Sequence, residues 1–168
     1  MRVERVLSRR DVLKVGAGIT LAATLGRAPR VSGDTRKIRI GIVGGRFGAS
    51  FQFHEHPDCI VEAVSDLRPE RRAHLMKTYQ CDKSYDSLEE LVKDPAVDAV
   101  GIFTDAPLHV QHAVLAMRNG KHVLSAVPVC AGSIEEAEEL LSVVRETGLT
   151  YMMAETGYYQ QATISARK

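Results

Sequence analysis

The chain has 168 residues, 26% of them charged, and a formal net charge of +1; that is enough for one domain with a real core plus a tail, with no bias toward disorder. The near-neutral total hides an asymmetry: residues 1–37 hold nine Lys/Arg against three acids, about +6, which leaves about −5 for the rest. A mildly acidic body argues against nucleic acid as a partner, because neutralising phosphates needs a basic face.

The first segment reads as an address. Ser8-Arg9-Arg10-Asp11-Val12-Leu13-Lys14 precedes a small-sided apolar run from Val15 to Gly26. That run is too short for a membrane span, which takes about 20 residues. Basic head, short apolar middle and polar tail make a secretory signal, and the paired arginines resemble a twin-arginine signal. The expectation is export to the periplasm or beyond, with an uncleaved membrane anchor as the alternative. Residues 1–36 are read as signal and linker.

From Lys37 onward, β-rich and helix-periodic stretches alternate. Lys37–Val43 is a strand and Gly44–Gly48 a turn. Ala49–His56 is expected as a short helix stopped before Pro57. Cys59–Ser65 is a second strand. Pro69 opens a helix through Tyr79, and Lys83–Tyr85 is a short strand. Ser87-Leu88-Glu89-Glu90 is a capping box opening a helix to Lys93. Val97–Phe103 is a buried strand, His109–Asn119 a helix closed by Gly120, and His122–Ala126 a strand. A second capping box, Ser133 to Glu136, opens a helix ending at Gly148, and Thr150–Ala154 is the last strand. Parallel strands need such crossovers, so the fold expected over residues 37–155 is α/β, a doubly wound, mostly parallel sheet covered on both faces. Cys59, Cys81 and Cys130 stand too far apart for a C-x-x-C pair, and no metal site is expected; His54 and His56 are a poor ligand set by themselves.

In such folds, ligands bind at the carboxyl ends of the strands where the strand order reverses. Gly44-Gly45-Arg46-Phe47-Gly48 lies after the first strand. Its glycines let the backbone turn tightly against a pyrophosphate, and the expected helix N-terminus adds donors. Asp66 ends the second strand, 22 residues after Gly44, the spacing at which an acid accepts the ribose hydroxyls of a dinucleotide. A carboxylate there repels a 2′-phosphate, which favours NAD; Arg68 nearby keeps NADP as the alternative. Read as G-x-G-x-x-G from Gly44, the second glycine falls on Arg46, which either crowds the pyrophosphate or neutralises it.

Four stretches then carry a family resemblance. They are Gly41–Gly48, Val64-Ser65-Asp66-Leu67-Arg68-Pro69-Glu70-Arg71, Val97–Thr104, and Asn119-Gly120-Lys121-His122-Val123-Leu124. Their order resembles the Gfo/Idh/MocA oxidoreductases. The resemblance implies an NAD(P) domain followed by a mixed α/β domain holding a sugar, cyclitol or polyol. That second domain is expected to be largely missing, with residues 156–168 its start. The loop Thr104–His109 matches the family's loop after the fourth strand, which implies that Thr104 and His109 lie near the cofactor. Relatives usually carry Glu-Lys-Pro where this chain has Ala126-Val127-Pro128, and their lysine assists proton transfer. Val127 has no ionisable group, so no catalytic residue is assigned. The expected cofactor residues are Gly44, Gly45, Arg46, Phe47, Gly48, Asp66, Thr104 and His109. The expected function is hydride transfer on a carbohydrate-like substrate. A non-catalytic dinucleotide-binding remnant and an NAD-assisted glycoside-cleaving enzyme are the alternatives, and a second copy of the chain is an open partner.

Overall fold

A computed structural model describes residues 36–167; the signal and linker reading of residues 1–36 falls outside them except for Arg36. Six strands form one sheet: β1 (Ile38–Val43), β2 (Cys59–Ser65), β3 (Ser84–Tyr85), β4 (Ala99–Ile102), β5 (His122–Ala126) and β6 (Tyr151–Ala154). Their order is β3-β2-β1-β4-β5-β6 and every pair is parallel. The expected doubly wound sheet is therefore what forms. The chain builds outward from β1 to β3, then returns to the other side of β1 and builds outward again. The reversal opens a crevice at the carboxyl ends of β1 and β4.

Helices cover the two faces unequally. On one face lie α2 (Leu88–Leu91), α3 (His109–Arg118) and α4 (Ile134–Thr147). Leu91, Val110, Ala113, Met117, Leu140 and Val143 pack there against Val43, Ala63, Val100, Ile102 and Val123. Both serine-led capping boxes form: Ser87 Oγ accepts from the Glu90 amide and Ser133 Oγ from the Glu136 amide. The opposite face carries α1 (Pro69–Tyr79), whose Leu75 and Tyr79 bury Ile40, Ile42, Val61 and Val64. A last short helix, α5 (Gln161–Ala166), follows β6.

One expected helix is absent. Residues 49–56 form two 3-10 turns, Gly48–Ser50 and Phe53–Glu55. Aromatic residues lose side-chain freedom in a helix, and here tertiary contacts claim them. Phe51 packs on Phe47, Phe53 and Phe103 with ring centroids 5.2, 5.5 and 4.5 Å apart. The Tyr79 hydroxyl reaches the carbonyls of Gly48 and Phe51, which a helix would have used internally. Burial pushes that phenol up to about 12, so it remains a donor.

Polar ties hold the amino ends of the strands, away from the crevice. Asp98 accepts from the backbone amide, Nε and Nη2 of Arg39, joining β1 to β4. Lys121 of the Gly-Lys-His-Val stretch is buried, and its ammonium donates to the carbonyls of Asp94 and Val97 at 2.7 and 2.8 Å. That motif braces the sheet and does not face the crevice.

Candidate dinucleotide-binding cleft

The crevice is a cleft of about 780 Å³, within the ordinary range of ligand pockets. Its floor is the turn after β1. Gly44 has φ +101°, and a Cβ on it would lie 2.3 Å from the carbonyl oxygen of Phe103. Only glycine lets this turn approach the end of β4 so closely. A Cβ on Gly45 would meet Arg71 Cβ at 2.8 Å, so the second glycine admits the first turn of α1. Both glycines are thus required by contacts within the chain.

Asp66 locks the same corner. Its Oδ2 accepts from the Gly45 amide at 2.6 Å and its Oδ1 from the Arg68 amide at 2.9 Å. The glycine turn and the acid one strand over are bonded to each other. The Gly44 amide is spent on the Ser65 carbonyl and the Gly48 amide on the Gly44 carbonyl. Among the described residues, the amides of Arg46 and Phe47 make no hydrogen bond within the chain. The expected helix dipole is missing here, because only a three-residue 3-10 turn follows. The donors open to an anion at the turn are instead these two amides, with Arg46 and Arg71 also lining the cleft.

Of the eight residues expected from sequence, Gly44, Arg46, Phe47, Asp66 and Thr104 line the cleft. Gly45 and Gly48 are buried behind it, Gly48 against Ile42 and Phe103. His109 is corrected from a cleft residue to a buried one. It is 2% exposed; its Nδ1 lies 2.7 Å from the Pro128 carbonyl and its Nε2 3.0 Å from the Thr104 carbonyl. Both partners are acceptors, so a neutral ring donates to one and only the imidazolium donates to both. Val127 lies outside the cleft lining, 39% exposed, in a cis peptide with Pro128.

Several lining residues escaped the sequence reading. His112, one helical turn beyond His109, lines the cleft, with Nδ1 2.9 Å from Thr104 Oγ1. Burial holds its pKa below the usual histidine value, against the opposing pull of Glu89. Ser65 Oγ is buried without a partner at the cleft wall, and Leu67, Arg71 and Leu108 line the cleft too, as does Arg68, the residue expected to admit NADP. The i, i+3 spacing of His109 and His112 was the available signal, but not which of them faces the opening.

This donor set fits a dinucleotide. Each Asp66 oxygen accepts one amide and keeps a lone pair for a sugar hydroxyl. The orphan Ser65 hydroxyl stands beside it. Two free amides and two guanidiniums match a diphosphate.

The model of the Gfo/Idh/MocA oxidoreductase family, described as having an NAD-binding Rossmann fold, matches residues 38–155. A 1,5-anhydro-D-fructose reductase of Ensifer adhaerens is 46% identical over 89 residues, 53% of this chain and 26% of that protein. A 2,7-anhydro-N-acetylneuraminate hydratase of Escherichia coli is 31% identical over 134 residues, 78% of this chain and 35% of that protein. Among solved structures, a 3-ketoreductase from Actinomadura kijaniata in complex with NADP superposes with a TM-score of 0.70 at 27% identity, covering 79% of this chain and 42% of that one. An apo scyllo-inositol dehydrogenase from Lactobacillus casei gives 0.72 at 24% identity, covering 79% and 40%, and shares the fold. The chain spans about a quarter to two fifths of the length of these relatives.

Proposed function

The chain belongs to the Gfo/Idh/MocA oxidoreductase family, and from that premise we propose that its cleft holds a nicotinamide dinucleotide for hydride transfer at a hydroxyl-bearing carbon of a sugar, cyclitol or polyol. When bound, the dinucleotide supplies the hydride acceptor or donor. The chain's own residues bind and orient it. Asp66 accepts sugar hydroxyls, the Arg46 and Phe47 amides and the Arg46 guanidinium hold the diphosphate, and Phe47 and Phe103 keep water from the turn. The observation carrying this reading is the bond between the Gly45 amide and Asp66, which joins the phosphate turn to the ribose acid.

Calorimetric titration with NAD and NADP tests it. Asp66→Ala is expected to weaken NAD by about 10- to 100-fold, as loss of charged hydrogen bonds does, and NADP by less, because the carboxylate no longer repels a 2′-phosphate. Equal losses would remove Asp66 from the role of ribose ligand. Arg68 and Arg71 at the cleft wall favour NADP as a second reading, supported if the wild-type chain binds it more tightly than NAD.

Val127 favours a further reading, a dinucleotide-binding protein without lysine-assisted turnover. Dinucleotide reduction with a panel of polyols would exclude that reading. The acidic body supports a small-molecule partner over nucleic acid. We also propose that the Ser8–Lys14 stretch directs twin-arginine export. Replacing Arg9 and Arg10 by Lys should retain the protein in the cytoplasm on fractionation; unchanged export would contradict this.

A further inference from the structure

We infer that His109 is a positioning residue: its buried ring holds the loops after β4 and β5 at a fixed spacing, and so shapes the half of the cleft that takes the nicotinamide nucleotide. The inference rests on the dinucleotide reading and goes beyond it.

Three segments meet at this ring. His109 opens α3; its Nε2 faces the Thr104 carbonyl, in the loop after β4, and its Nδ1 faces the Pro128 carbonyl, in the loop after β5. Among the described residues, no other hydrogen bond joins those two loops. The ring is 2% exposed, so water does not substitute for it, and a carbonyl deprived of it there is left unsatisfied. Thr104 carries the effect to the cleft: its carbonyl faces His109 while its hydroxyl meets His112 at the cleft wall.

A doubly wound sheet binds one mononucleotide on each half. Asp66 closes the half built by β1 to β3 and is the acid that takes the adenosine ribose. The half His109 braces, built by β4 to β6, is left for the nicotinamide nucleotide. Loss of the brace should therefore separate two ligands that share one half of the cleft. ADP occupies the Asp66 side and the diphosphate turn; NAD needs both sides.

The test is calorimetric titration of the full chain with NAD and with ADP, for wild type, His109→Phe and His109→Gln. Phe keeps the ring's bulk and removes both ring nitrogens; Gln keeps one donating nitrogen. His109→Phe is expected to weaken NAD about tenfold while ADP stays within about twofold, and His109→Gln to recover part of the loss. Should His109→Phe not fold, the same split in His109→Gln, smaller in size, supports the inference. Equal weakening of NAD and ADP in folded variants would make His109 merely structural and overturn it, as would unchanged NAD affinity. Wild-type protein binding neither ligand would instead overturn the dinucleotide reading, and this inference with it.

Discussion

The two halves of the sheet solve one packing problem in different ways. Over β4 to β6, regular helices with apolar stripes cover the sheet, with α3 packed on β5 and α4 packed on α3. Beside β1, two 3-10 turns leave a gap that Phe47, Phe51, Phe53, Phe103 and the Tyr79 phenol fill. A helix stripe spreads its stability over many small contacts, whereas an aromatic cluster concentrates it in a few large rings. The irregular half should therefore be the more fragile under single substitutions, and its damage should reach the cleft, because Phe47 and Phe103 belong to both cluster and lining.

Phe103→Ala is expected to have the largest effect, about 3–5 kcal/mol of stability, with weaker dinucleotide binding. Leu140→Ala, in the buried seam between α3 and α4, should cost less, about 2–3 kcal/mol, and leave binding unchanged. Chemical denaturation with parallel ligand titration measures both; equal losses of binding would break the contrast between the halves. Tyr79→Phe keeps the ring and removes the hydroxyl that closes the shortened segment, an expected cost of about 1 kcal/mol. On the helical side, Ser142→Ala removes an exposed hydroxyl bonded to Glu146 and should stay within about 0.5 kcal/mol of wild type.

The smallest effect concerns the seam between the halves. The Arg39 guanidinium beside Asp98 holds that carboxyl below its ordinary 3.8. A carboxylate lowered on folding adds stability that is complete above its unfolded value and fades as the pH falls through the folded one. Asp98→Asn should therefore flatten the loss of stability below about pH 4, followed by thermal melts across an acid series. An unchanged acid limb would show that the seam does not depend on this pair.

The same contrast explains what the sequence disclosed. The helices α1, α3 and α4 follow from caps and apolar spacing that are local in the chain, and so do the strands between them. Asp66 was legible because a fixed spacing separates it from Gly44. The segment 49–56 was not, since its 3-10 turns depend on Phe103 and Tyr79, which come far later in the chain. His109 and His112 differ by one helical turn, and the carbonyls of Thr104 and Pro128 decide which of them is buried. Arg71 entered the cleft through the missing side chain of Gly45, a contact between segments that spacing does not reveal.

The central claim is that the turn after β1 and Asp66 together grip a dinucleotide. Amide chemical shifts of the isotope-labelled chain, followed while NAD is added, address it most directly. The account predicts that the Arg46 and Phe47 amides move most, with Gly45 and Arg68 reporting on Asp66 and Lys121 unmoved. Shifts gathered elsewhere, with Arg46 and Phe47 unchanged at saturating NAD, would contradict it.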